Sequence, residues 1–200
     1  MAEQEPAAPT RESGPWDADE PHPDTDRIDL GGLRLPHNPE FDVRLASVGD
    51  QHVGVVVLYG DSSLQLQALA APRSAGLWDE VKTKIRAQAK NLQEQEGPFG
   101  SELAGEVTME DGTRQARYMG IDGPRWFLLA AITGPGAVDE RVSGAFIDFV
   151  KDVVVVRGED PMAREEPIPL SRPHERQAAQ QEERPAFSPF KRGPEISETR

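Results

Sequence analysis

Between Leu103 and Thr133 the chain alternates apolar and polar residues in three short segments, parted by Asp111-Gly112 and Asp122-Gly123. Dipeptides of this kind are the strongest short-range signal for tight β-hairpins, so three antiparallel strands are predicted here. The last of them, Arg125 to Ile132, is apolar on both faces and is expected inside a sheet. An earlier meander has the same grammar. Ile28 to Leu35 reads as a first, Gly-interrupted strand stopped by Pro36 and Pro39, and Phe41, Val43 and Leu45 then alternate with Asp42, Arg44 and Ala46. Val53 to Tyr59 is apolar throughout, which predicts a central strand. Gly60-Asp61 turns the chain into Leu64, Leu66, Ala68 and Ala70, alternating with Gln65 and Gln67.

Two stretches switch to helical spacing. Trp78, Val81, Ile85, Ala89 and Leu92 mark one amphipathic face, ended by Gly97-Pro98. Val138, Val142, Ala145, Phe146, Phe149 and Val153 mark a second, after the break at Gly134-Pro135-Gly136, and Val153 to Val156 is expected to fray into a short strand. The order is four strands, helix, three strands, helix. This predicts an α+β domain in which an antiparallel sheet of about seven strands is covered by two helices.

Composition sets the expected boundaries. Residues 1–27 carry eight acidic side chains against Arg11 and Arg27, and Trp16 is their only large apolar residue besides Met1. Too little apolar surface is available there to offset the entropy of ordering, so an acidic disordered arm is expected. Residues 28–156 hold nearly all the Val, Ile, Leu and Trp and form the predicted single domain. Residues 157–173 are rich in proline, with Met162, Ile168 and Leu170 apolar enough to pack an extended segment onto the domain. Residues 174–200 read as a disordered charged tail.

The net charge of −13 falls as −6 in the arm, −6 in the domain and −1 beyond it, which argues against nucleic acid as a partner. The absence of cysteine excludes disulfides, thiol catalysis and thiolate metal sites. An acidic, polar beginning is unlike a secretory signal, and no apolar run approaches the ~20 residues that span a bilayer, so a cytoplasmic protein without membrane insertion is expected. No cofactor is indicated: His22, His37, His52 and His174 lack metal-ligand spacing. None of G-x-S-x-G, G-x-G-x-x-G or a Walker sequence occurs.

The most distinctive cluster is Gly120 to Phe127, a turn running into an apolar strand. One reading makes Asp122 and Gly123 turn residues, Asp122 accepting backbone hydrogen bonds and Gly123 supplying a positive φ. The other makes Asp122, Arg125 and Trp126 a recognition element, with Arg114 and Arg117 nearby. Because strand neighbours alternate, Arg114 and Arg117 fall on opposite faces. Lys82, Lys84, Arg86 and Lys90 give the first helix a basic outer surface, read as a solvated face.

Gly76-Leu-Trp-Asp-Glu-Val81, Ile121-Asp-Gly-Pro-Arg-Trp126, Thr133-Gly-Pro135, Gly158-Glu-Asp-Pro-Met162 and Pro167-Ile-Pro-Leu170 together resemble an actinobacterial family, domain-of-unknown-function family 3710, over roughly Asp26 to Pro173. The resemblance implies a cytosolic protein with acidic flanks and brings no catalytic activity, cofactor or catalytic residue with it. The element order is also loosely similar to the Mog1 and PsbP type of α/β/α sandwich, often a binding module, but fold analogy transfers no activity. Two functions stand side by side. The first is a non-catalytic interaction module for a protein partner, with Trp16, Phe187 and Phe190 as anchors. The second is a small-molecule-binding domain or enzyme with a pocket near Asp122 and Arg125, joined by Tyr118 or Asp29.

Overall fold

The computed structural model describes residues 12–72 and 76–173. In chain order these hold β1 (Trp16–Asp17), β2 (Arg27–Asp29), β3 (Leu33–Pro36), β4 (Asp42–Val48), β5 (Gln51–Tyr59), β6 (Ser62–Ala70), α1 (Leu77–Gln88), β7 (Leu92–Gly97), β8 (Gly100–Met109), β9 (Gly112–Gly123), β10 (Trp126–Thr133), a 3-10 turn (Pro135–Ala137), α2 (Glu140–Lys151) and β11 (Val154–Val155). Seven strands make one antiparallel sheet in the order β4-β5-β6-β10-β9-β8-β7. Four short ones make a second sheet, β1-β11-β3-β2, in which β1 and β11 are parallel. Among the described residues no helix is long and apolar enough to cross a membrane.

The large sheet has the expected strand count but a different membership. Ile28 to Leu35 is not its first strand. That stretch folds into the hairpin of β2 and β3, with Gly31 at φ 87°, and belongs to the second sheet. The seventh strand is instead β7, which the helical spacing of Leu92 had assigned to the first helix. α1 ends at Gln88, Ala89 is already extended, and Leu92 reaches the core from the sheet edge opposite Gly105. Gln93, Glu94, Gln95 and Glu96 are good helix formers, but intrinsic propensity is a small term and pairing with β8 overrides it. β5 is interior yet second from the edge, and the middle place belongs to β10.

Each face of the large sheet is covered differently. On the inner face Val55, Val57, Leu64, Leu66, Met119, Leu128, Ala130 and Ile132 pack against Phe146, Phe149 and Val150 of α2 and against Leu33, Leu35 and Val155 of the second sheet. Phe41 ties the layers together, with ring centroids 5.3 Å from Tyr59, 5.6 Å from Phe146 and 5.4 Å from Phe149. Among the described residues the outer face carries α1 alone, through Trp78 and Val81 on Leu69, Leu103 and Phe127, with Ile85 at its margin. α2 starts at Glu140, just beyond Val138 where the apolar spacing begins, because Asp139 caps it, accepting from the amides of Arg141 (2.9 Å) and Val142 (3.1 Å). Val138 is left outside, 66% exposed.

Residues 12–27 do not behave as a disordered arm. Trp16 is only 8% exposed, its amide donates to Val153 O (2.8 Å), and Asp17 Oδ2 accepts the indole N–H of Trp126 (2.6 Å). Arg27 donates to the carbonyl of Asp152 (2.8 Å) and pairs with its carboxylate. One tryptophan and one buried acceptor hold the segment because the surface they dock on is already formed, a tertiary effect with no periodicity to reveal it. Residues 1–11 and 174–200, and with them Phe187 and Phe190, lie outside the described residues. The Pro-rich segment is stitched down: Glu165, Ile168, Leu170 and Ser171 donate their amides to Ala70, Ala68, His52 and Leu30, and Ile168 is 2% exposed. Arg164 pairs with Glu80 and Lys84 with Glu165, which clamps the same segment to α1.

Candidate functional site

The turn after β9 brackets Pro124-Arg125 between the facing pair Gly123 and Trp126. Proline at the first corner and a positive φ at the second form the type II pattern, and the positive φ, 60°, belongs to Arg125. Gly123 is not left-handed. It is needed because a Cβ there would run into the indole of Trp126, so the expected role of Gly123 changes from conformation to close approach.

The three recognition candidates do not converge. Trp126 points to the inner face, is 0% exposed, and so offers no flat surface to a partner. Asp122, opposite Phe127, points to the outer face. Half-buried Arg125 donates to the carbonyl of Gly158 (3.0 Å), while its own carbonyl accepts from Ala71 N (3.0 Å). Strand alternation puts Arg114 on the outer face and Arg117 on the inner one, opposite Val107 and Ala104 respectively. Tyr118 lies in the middle of the outer face. Asp29 sits in the second sheet, accepting from Gly31 N (2.9 Å), so the four members of the pocket reading are spread over two sheets.

The cations of α1 are matched by carboxylates. Lys82 is buried and donates to Glu94 Oε1 (2.6 Å) and Ser101 Oγ (2.9 Å), with Asp79 at 2.9 Å. Glu94 therefore holds the Lys82 ammonium above its ordinary value against the opposing effect of burial. Reciprocally, Lys82 first and Ser101 next hold Glu94 below the usual carboxylate range. Arg86 reaches the other Glu94 oxygen (3.1 Å).

A polar network that sequence reading missed lies on the inner face beyond α2. Glu102, 1% exposed, accepts through Oε1 from Arg117 Nε (2.6 Å) and Gln95 Nε2 (2.7 Å), and Arg117 Nη1 donates to Ser143 Oγ (3.0 Å). Glu102 stands directly across from Met119 and Gln95, so only strand register brings the four together. Its Oε2 has no partner among the described residues. A buried pair of this kind fixes register at a desolvation cost, and its single-partner variants are strongly destabilising.

A mainly apolar surface lies on the outer face, alongside α1. Val56, Gln67, Tyr118 and Leu129 are half-buried there and Gln65 is exposed. With Ala46, Gly54 and Ala131 they line a shallow, mainly apolar dip of about 190 Å³. Burial pushes the Tyr118 phenol above its ordinary value, so it stays neutral at physiological pH. Leu129 and Tyr118 also touch the core beneath α1, which makes the dip a continuation of the bed on which that helix lies.

Comparison with solved structures gives distant likenesses. Cyanobacterial PsbP from Synechocystis sp. PCC 6803 matches with a TM-score of 0.41 and 13% identity, over 65% of this chain and 91% of that one. A Bacteroides thetaiotaomicron protein matches at 0.40 and 6%, over 66% and 47%. LpqN of Mycobacterium tuberculosis, described as involved in cell envelope biogenesis, matches at 0.36 and 12%, over 62% and 83%. At these scores the likenesses carry no functional argument. No curated protein sequence matches the chain. The model of the family described as "Protein of unknown function (DUF3710)" matches residues 14–179, and the chain belongs to that family.

Proposed function

We propose that this chain is a non-catalytic protein-interaction domain whose outer sheet face receives an amphipathic helix of a partner, laid beside α1. The observation that carries the reading is the half of that face left uncovered among the described residues, where Val56, Tyr118, Leu129 and Ala131 extend the apolar bed already used by Trp78, Val81 and Ile85. A sheet that buries one half of a face under a helix has the spacing and chemistry to accept a second helix on the other half. Neutral Gln65 and Gln67 at the centre suit a protein surface rather than an anionic ligand. The net charge of −13 favours a partner whose helix is flanked by Lys or Arg, and a cytoplasmic setting is part of the same proposal.

A photo-crosslinking amino acid placed at Gln67 tests this, with one at exposed Asp148 on α2 as the control. The expected result is a discrete adduct from Gln67 alone, lost on introducing Gln65→Glu into the same chain while the melting temperature holds. Equal labelling from both positions refutes the assignment of the face.

A further inference from the structure

A second opening lies on the other side of the sheet, at the edge where the two sheets part. It is a groove of about 370 Å³ between β4 of the large sheet and β2 of the small one, both terminal strands of their sheets. Its walls are Ile28 and Leu30 on one side and Val43 and Leu45 on the other. Its polar lining is Ser47, His52 and Arg172. Ile28, Val43 and Leu45 are half-exposed although each packs against the inner core, so the two layers leave apolar surface unfilled between them. Ser47 Oγ and His52 Nδ1 share a hydrogen bond (2.6 Å) across the bulged end of the β4-β5 hairpin, which fixes the imidazole. The strap residue before Arg172, Ser171, is held by the carbonyl of Leu30 (2.8 Å), and that places Arg172 at the mouth.

We propose that this groove binds a small amphiphile with an anionic head, a medium-chain carboxylate, whose hydrocarbon enters between the sheets while its carboxylate meets Arg172 and His52. Mostly apolar walls with a few convergent polar groups, within roughly 300–1,000 Å³, are the ordinary make-up of a small-molecule site. The charge is complementary at one end only. Guanidinium and imidazole select a carboxylate there, and Ile28, Leu30, Val43 and Leu45 have nothing to offer a second charge. A bilayer-sized lipid is excluded by the volume, and a polar metabolite by the walls. The site is separate from the outer face, so either proposal stands or falls without the other.

The test is an amide NMR titration of the full chain with octanoate, hexanoate and octanol. Octanoate is expected to give saturable shifts at Ile28, Leu30, Val43, Leu45 and His52. Each buried methylene contributes about fourfold in affinity, so octanoate should bind roughly tenfold or more tightly than hexanoate. Arg172→Gln should weaken octanoate about tenfold and leave octanol unchanged, and Leu45→Trp should block both by filling the groove. If Leu45→Trp does not fold, Val43→Phe serves the same purpose. Absence of saturable octanoate shifts overturns the proposal. So do shifts centred on Val56 and Leu129, or an octanoate affinity that Arg172→Gln and His52→Gln both leave intact.

Discussion

Gly123→Ala tests the tightest approach in the fold. A Cβ at position 123 overlaps Cε2 and Cζ2 of Trp126, the facing residue of the hairpin, whose indole is fully buried and tied to Asp17 at 2.6 Å. The ring has no free space to move into, so the variant must shift the strand or swing the indole off its acceptor. Overpacking costs about 1–3 kcal/mol, and losing a hydrogen bond to a charged acceptor about 1.5–3 kcal/mol. Where both occur the cost is about 2.5–6 kcal/mol, whereas a left-handed glycine alone costs roughly 1 kcal/mol. For a folded unit of this size the melting temperature should drop by roughly 10 °C. Circular dichroism melts, read with the tryptophan emission maximum, measure it. Asp17→Ala completes a double-mutant cycle, and the coupling between the two changes should exceed about 1 kcal/mol, since both break the same bond. A melting temperature within 2 °C of wild type, or strictly additive changes, refutes the argument.

Ile168→Ala should cost about 2–5 kcal/mol in urea titration, because the side chain is buried in the core although it belongs to the Pro-rich segment; an unchanged midpoint would mean that the strap is not part of the cooperative unit. Asp139→Ala removes the cap of α2 and should cost about 1 kcal/mol, measured the same way, with Asp139→Asn restoring most of it. The Lys82–Glu94 pair predicts a pH signature. Glu94 is depressed in the folded state, so its contribution is present above its ordinary value of 4.5 and lost as pH falls through the lowered one. Lys82 is raised, so its contribution is present below 10.5 and lost as pH rises through the raised one. The gap in melting temperature between wild type and Glu94→Gln should therefore be open at neutral pH and close in acid and in strong alkali; a gap independent of pH would show that the pair contributes nothing.

Local rules written in consecutive residues were enough for most elements. Alternation in Phe41 to Leu45, Leu64 to Ala70 and Arg114 to Ile121, and helical spacing in Trp78 to Ile85 and Val142 to Phe149, each survive because one face of the element is buried and the period fixes which. Leu92 shows the limit of that signal: a single leucine in register with a preceding helix satisfies the spacing equally well in an edge strand, and only pairing with β8 decides. Trp16 shows another limit, since an isolated aromatic in an acidic stretch has no period at all and finds its place through the pairing of β1 with β11, beside the bond from Trp126 to Asp17. The turn cluster was visible as a turn, yet which way Asp122, Arg125 and Trp126 point depends on register and on the positive φ falling at Arg125. Glu102, Gln95, Arg117 and Ser143 are scattered along the sequence, and Ile28, Val43, His52 and Arg172 are equally far apart. What the sequence determined was the identity of the elements and their buried faces, because those follow from near neighbours along the chain. What tertiary structure decided was every site, because strand order, register and the gap between two sheets are set by contacts that no single stretch of sequence contains.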